Sequence, residues 1–204
     1  MTSAGARDVT ALPPAQLARQ DVGYWAIVLT CITEGTLFAY LFSSYFYLGV
    51  SNASWPPSNG EVPTLAKPIV MTVLLVSSSV VLFFAARARE TGGKGAYLVG
   101  TVVSIILGLA FLSIQAIEYH EKVREMPPGA DAYASMFYLI TGFHGTHVAF
   151  GLLFLIWTLL ADARNQLATE APVAVKNASL YWHFVDGVWL VVFTCLYLSP
   201  RWYR

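Results

Sequence analysis

The chain has 204 residues, of which 56% are hydrophobic and only 12% are charged, a composition typical of membrane proteins and not of soluble domains. Twelve basic and twelve acidic residues give a formal net charge of zero, and there is no polybasic block, which argues against a nucleic-acid partner. The two cysteines, Cys31 and Cys195, lie in apolar runs and are predicted to be small buried residues, not a disulfide or a metal motif.

Residues 1–22 form a polar, Pro- and Ala-rich N-terminal segment that has no leading apolar core, so we do not expect a cleaved signal peptide. The rest of the chain, 23–204, is predicted to be one all-α transmembrane domain, because five windows reach the length of about 20 mostly apolar residues that a spanning helix needs. In chain order, the predicted helices cover 23–48, 66–88, 95–119, 133–161 and 178–199.

Turn-forming clusters separate these windows, such as RETGGKG at 89–95 and MPPGAD at 126–131. Five spans place the two termini on opposite sides of the membrane. Seven Lys and Arg residues then fall on the N-terminal side and five on the other, a bias that favours a cytoplasmic N-terminus and a periplasmic C-terminus.

Away from the ends of the predicted spans lie five ionisable Glu, His and Asp residues, where a charge is costly and each such group is a candidate functional residue. They are Glu34, His144, His147, His183 and Asp186. A spacing of three residues places His144 and His147 on one helix face, and His183 and Asp186 on another. One interpretation is a metal or haem site. The other, which we favour because the Glu-x-x-His pairs of di-iron bundles are absent, is an interhelical hydrogen-bond cluster in which His183 or His147 donates to Asp186.

Glu34 has only Thr33 and Thr36 as polar neighbours within its own segment, ITEGTLFAYLF. A carboxyl group in the middle of a membrane can relay protons, or it can fill a polar contact between two helices. The residues alone leave both roles open.

Three segments resemble the signature segments of subunit III of the haem-copper terminal oxidases, and they occur in the same order: LSIQAIEY (112–119), GFHGTHVAFG (142–151) and YWHFVDGVW (181–189). The TEGTLF segment aligns Glu34 with the buried, carboxyl-reactive glutamate of that family. The resemblance covers roughly 23–200 and corresponds to the short, five-helix form of the subunit.

This resemblance implies a non-catalytic core subunit of a proton-pumping cytochrome c oxidase, which reduces O2 to water in the aerobic respiratory chain of a bacterial inner membrane. Haem and copper would be held by partner subunits I and II, so this chain is expected to bind no metal and no redox cofactor. It would pack on subunit I near a proton-uptake path, with Glu34 as the proton-relay candidate. Membrane lipids and other respiratory complexes, joined in a supercomplex, are further expected partners.

Two relatives of this type are alternatives: subunit III of a quinol oxidase, and a homologue associated with nitric oxide reductase. The YWHFVD sequence at 181–186 favours the cytochrome c type. A small membrane transporter is an alternative from another class, but it would show repeated or interrupted helices, which the sequence lacks. A small metalloenzyme would bind metal as an isolated chain.

The resemblance also indicates where a phospholipid could bind. Seven-helix members hold a lipid phosphate with a basic residue near the end of the HxxH helix, where this chain has Ala161. Arg164 lies about one turn further along and is the candidate to replace that residue.

Overall fold

A computed structural model describes residues 15–52, 55, 64–166 and 171–201, and most of the predicted N-terminal segment, 1–14, lies outside these ranges. Five long helices make up most of the described chain. They are α1 (Ala15–Ser51), α2 (Ala66–Glu90), α3 (Lys94–Glu125), α4 (Ala132–Ala163) and α5 (Ala171–Val192). A π-helical segment, Phe193–Leu198, and a 3-10 turn, Ser199–Arg201, continue α5.

All five helices are long and apolar enough to cross a membrane, which confirms the predicted all-α fold with five spans. The sidedness of the termini stays a prediction. Asp131 begins α4 as an N-cap, because its side chain accepts a hydrogen bond from the backbone N–H of Ala134.

Three predicted helix ends are wrong, because charged residues do not stop these helices. Helix α1 begins at Ala15 instead of 23, within the predicted polar segment. Helix α3 continues to Glu125 instead of ending at 119, and α5 begins at Ala171 instead of 178. The Lys122 ammonium lies 4.2 Å from the ring centroid of Phe137, and the Lys176 ammonium lies 5.0 Å from that of Tyr24. Contacts between cations and ring faces allow these lysines to stay within a helix near the membrane boundary.

The core lies mainly among α2, α3, α4 and α5, which bury large aromatic side chains such as Phe111, Trp182 and Trp189, and α1 adds Phe38 and Tyr45 to it. Two glycines admit Trp182: a Cβ on Gly108 would lie 2.8 Å from its ring, and a Cβ on Gly151 would lie 2.9 Å from it. Close helix contact at small residues is the usual way in which membrane helices pack.

Helix α1 packs against α4 and α5 at the side of this bundle. Only 6% of its most apolar window is buried within the chain, compared with 44% in α4 and in the last span. Most of the surface of α1 is therefore available to lipid or to other proteins.

Candidate functional site

Glu34 and His147 form a pair between α1 and α4, with 3.1 Å between Oε2 of the carboxyl group and Nε2 of the ring. Nδ1 of His147 lies 2.7 Å from the carbonyl oxygen of Phe143, which can only accept, so Nδ1 carries a hydrogen. In the neutral ring Nε2 is then bare, and the hydrogen bond needs a proton on Glu34. Alternatively, the proton resides on the ring and the carboxylate accepts. The pair thus shares one proton between two helices.

The surroundings of this pair keep the two groups together. The hydroxyl groups of Thr33 and Thr36 donate to backbone carbonyls of α1, so the partner of Glu34 comes from α4 and not from its own helix. The ring of Phe38 packs edge-on to His147, with 5.1 Å between centroids. The side chain of Glu34 remains 34% exposed, whereas that of His147 is 12% exposed. The carboxyl group therefore lies at the outer edge of the chain.

His144 lies one turn away in a different environment. It is fully buried, and neither ring nitrogen has a hydrogen-bond partner among the described residues. Aromatic rings from three helices surround it: Trp189 at 5.2 Å, Phe111 at 5.8 Å and Phe38 at 6.5 Å between centroids. Its contribution in this structure is packing within an aromatic cluster.

His183 links α5 to α2. Its Nδ1 lies 2.9 Å from the hydroxyl oxygen of Ser79, and its Nε2 lies 3.1 Å from that of Ser179. Asp186 is one turn further along and 9% exposed, and its Oδ1 has no hydrogen-bond partner within the described chain. The hydrogen bond that we expected from His183 or His147 to Asp186 is not formed, because both nitrogens of each ring are bonded elsewhere. The four residues occupy three separate environments instead of one cluster.

A buried ion pair that the sequence analysis missed joins α2 to α4. The Arg89 guanidinium binds Asp162 through two hydrogen bonds of 2.9 and 2.8 Å, and the Asp162 side chain is only 2% exposed. The sequence contained one signal for this ion pair, which is the position of Asp162 in the last turn of α4. An acidic residue there lies against the negative end of the helix dipole and needs a cation.

A second polar group lies at the opposite end of the bundle. The carboxylate of Glu118 is 2.8 Å from Nζ of Lys122 and accepts a 3.2 Å hydrogen bond from the Tyr197 hydroxyl. Nearby, the Gln115 amide donates to the carbonyl of Thr141 over 2.7 Å. Thr141 directly precedes the segment GFHGTHVAFG, and a Cβ on Gly145 within it would lie 3.0 Å from the Gln115 amide, so this segment and LSIQAIEY meet between α3 and α4.

Arg164, the candidate residue for binding a lipid phosphate, caps the end of α4 and has an exposed side chain. Its lipid-phosphate role stays a prediction. Within the described ranges no group of three His, Cys, Asp or Glu side chains could hold a metal ion.

Comparison with known proteins identifies the family. The family model for cytochrome c oxidase subunit III matches residues 16–202, which is nearly the whole chain. This chain belongs to the cytochrome c oxidase subunit III family. The resemblance drawn from its three sequence segments is thereby confirmed.

Three relatives show how broad this similarity is. The chain is 33% identical to cytochrome c oxidase subunit 3 of Synechocystis sp. over 179 residues, covering 87% of this chain and 76% of the relative. It is 35% identical to the subunit of the same name in Alkalihalophilus pseudofirmus over 167 residues, covering 81% of each. It is also 32% identical to cytochrome bo(3) ubiquinol oxidase subunit 3 of Pseudomonas aeruginosa over 177 residues, covering 86% of this chain and 83% of the relative.

Membership in this family makes the chain subunit III of a haem-copper oxidase, a multi-pass membrane component of an oxidoreductase complex. Other oxidase subunits are its partners by implication. The relatives include both cytochrome c and ubiquinol oxidases, so the similarity alone does not distinguish the two electron donors.

Proposed function

We propose that this chain is the non-catalytic subunit III of a proton-pumping cytochrome c oxidase in the inner membrane of a bacterium. It packs directly on subunit I, with subunit II as a further partner, and its N-terminus faces the cytoplasm. Haem and copper belong to those partner subunits. The match to the subunit III family over residues 16–202 is the observation that carries this proposal.

The proposed role has two parts. The weakly buried α1 offers an apolar surface by which the subunit stabilises the complex. The Glu34 and His147 pair supports proton uptake, because it holds an exchangeable proton at a partly exposed position within a membrane span.

Purification of the complex in mild detergent tests this function. We expect this chain to co-purify with a large haem-bearing subunit I and with subunit II, identified by mass spectrometry, and the complex to show haem bands in its visible spectrum. A colourless chain that purifies alone and transports a solute would overturn the proposal in favour of a small transporter.

A quinol oxidase is the second candidate, favoured by the 32% identity to the ubiquinol oxidase subunit of Pseudomonas aeruginosa. Oxygen consumption by the purified complex with reduced cytochrome c, and separately with a quinol, distinguishes the two. We expect cytochrome c to be the donor. Activity with the quinol alone would assign the chain to the second type, and nitric oxide reduction would assign it to the nitric-oxide-reductase-associated homologue.

The absence of a resident metal is tested on the isolated subunit. We expect elemental analysis to find no stoichiometric Zn, Cu or Fe once partner subunits have been removed. One tightly bound metal ion per chain would contradict this and favour the metalloenzyme alternative.

A further inference from the structure

Ser79 on α2 links two ionisable groups of α5 that are not hydrogen-bonded to each other. Its hydroxyl oxygen lies 2.9 Å from Nδ1 of His183, and the same hydroxyl interacts with the carboxyl group of Asp186. On the other side of the ring, Nε2 of His183 lies 3.1 Å from the hydroxyl oxygen of Ser179. Four side chains therefore form one continuous chain of hydrogen-bonding groups, in the order Ser179, His183, Ser79 and Asp186.

The outer end of this chain reaches the surface of the bundle. A cavity of about 280 Å³ opens where α2 ends and the last span begins, and Ser179 and His183 both line it. The titratable and charged groups that share this cavity are Tyr24, Arg87, Glu90 and Lys176. Charged side chains at the ends of spanning helices lie at the boundary between membrane and water. The ring of His183 is therefore accessible to protons from the side of the membrane on which the N-terminus lies.

The inner end of the chain is the carboxyl group of Asp186, which is only 9% exposed. Its Oδ1 has no hydrogen-bond partner within the described ranges, and none of the ion pairs among the described residues includes it. A carboxylate at such a position is costly without a cation, and a proton removes that cost. The hydroxyl of Ser79 is the neighbouring group that can deliver the proton.

We propose that Asp186 is a proton-exchange site that communicates with the N-terminal side of the membrane through Ser79, His183 and Ser179. Imidazole and hydroxyl groups can accept a hydrogen bond on one side and donate one on the other. A proton from water enters at Nε2 of His183, Nδ1 passes its own proton to the Ser79 oxygen, and the Ser79 hydroxyl proton passes to Asp186. The ring stays neutral and both hydroxyls stay intact, so only the charge of Asp186 changes. Release runs the same transfers backwards.

This site is separate from the pair formed by Glu34 and His147. That pair joins α1 to α4, whereas the chain from Ser179 to Asp186 joins α5 to α2. The subunit thus has a second carboxyl group within the membrane that exchanges protons, and this group does not depend on the electron donor of the oxidase.

Infrared spectroscopy of the intact complex tests the proposal. The carboxylic acid C=O band of Asp186 is identified as the band that the wild type shows and that Asp186→Asn lacks. Its intensity is then followed after a rapid rise and a rapid fall in pH. Haem content verifies assembly in each sample.

Two variants interrupt the chain, and one serves as the control. His183→Gln keeps a hydrogen-bonding side chain that cannot pass a proton from one end to the other, and Ser79→Ala removes the link next to Asp186. The matched control is Ser77→Ala, which removes an exposed hydroxyl group from the same helix.

We expect the band to disappear at high pH and to return when the pH falls. In His183→Gln and in Ser79→Ala both changes should slow on the order of a hundredfold, the lower end of the effect of a positioned proton-transferring side chain. Ser77→Ala should respond as fast as the wild type.

Each of three results would overturn the proposal. A band that does not change over the pH range in which the complex keeps its haem, or no band at all, would show that Asp186 does not exchange a proton. Equal rates in the wild type and both chain variants would show that the proton arrives by another route. A slower response in Glu34→Gln, with His183→Gln unaffected, would assign that route to the pair between α1 and α4.

Discussion

The bundle formed by α2 to α5 and the single helix α1 follow different rules of packing. In the bundle, buried polar links such as the Arg89 and Asp162 pair join the helices, and glycines bring large rings into close contact. Helix α1 buries only 6% of its most apolar window. It contacts its neighbours through two buried rings, Phe38 and Tyr45, and through one partly exposed polar pair, Glu34 and His147.

This difference indicates where stability and function reside. Buried polar links are costly to break once formed, because a lone charge or hydrogen-bonding group remains in an apolar environment. A helix with few buried residues and a partly exposed carboxyl group contributes less to the stability of the fold. Its surface and the proton of that carboxyl group remain accessible.

Removal of the Arg89 side chain should have the largest effect on stability. Arg89→Ala leaves the nearly buried carboxylate of Asp162 without its cation, and we expect a loss of about 3 kcal/mol in the free energy of unfolding. Thermal unfolding of the purified complex measures the loss. Arg124→Ala, at an exposed position near the end of α3, is the control and should unfold as wild type. An equal loss of stability in the two variants would show that the buried ion pair contributes no more to stability than a surface charge.

Alanine substitution of glycines compares the two regions directly. In the bundle, a Cβ on Gly108 would lie 2.8 Å from Leu152 and Trp182, and we expect Gly108→Ala to cost about 2 kcal/mol through overpacking. In α1, a Cβ on Gly35 would lie 3.7 Å from Phe184, an ordinary contact. Gly35→Ala should leave stability unchanged or raise it by up to about 1 kcal/mol through helix propensity. Stability measured in detergent checks both, and an equal loss in the two variants would show that α1 packs as tightly as the bundle.

Glu34→Gln should alter turnover and not assembly. The amide keeps the size of the side chain and can donate to His147, but it cannot release a proton. We expect normal haem content and turnover slowed about threefold at alkaline pH, where proton supply is scarce, which corresponds to less than about 1 kcal/mol of activation free energy. Oxygen consumption measured across pH tests this. Turnover equal to wild type at every pH would leave Glu34 as a packing contact.

His144→Phe should have the smallest effect. The ring already lies among Phe38, Phe111 and Trp189, and its nitrogens have no partner in the described chain. Replacing a buried polar group of this kind by an apolar ring of similar shape is nearly neutral or stabilising. We expect a change within about 1 kcal/mol in thermal unfolding. A much larger loss would restore the hydrogen-bonding role that the sequence suggested.

The five spans could be predicted from the sequence because length and absence of charge are sufficient to recognise a spanning helix. Their ends could not, because Lys122 and Lys176 stay helical by contact with rings of other helices. Such contacts depend on residues distant in the chain, which a local pattern of charges does not reveal.

The residues of the site could be singled out, but not their partners. Glu34 and His147 were both identified by their position inside apolar windows, since an ionisable group there is unusual. Their pairing depends on how α1 is rotated against α4, and a helix that is apolar on nearly every side gives no periodic signal for that rotation. For the same reason, the sequence could not show that His144, which we expected to form hydrogen bonds with other polar groups, lies among aromatic rings.

The π-helical segment Phe193–Leu198 has a consequence for how this chain tolerates changes in length. A π turn accommodates one residue more than an α turn, so the segment holds one residue more than the same stretch of α-helix would. Deletion of one residue there would restore α geometry and leave the residues after it in nearly the same orientation. The Tyr197 hydroxyl, which donates to Glu118 over 3.2 Å, would still face that carboxylate. A single deletion in a regular α-helix rotates everything after it by about 100°, so the end of the last span is the part of this bundle that can lose one residue without changing its contacts.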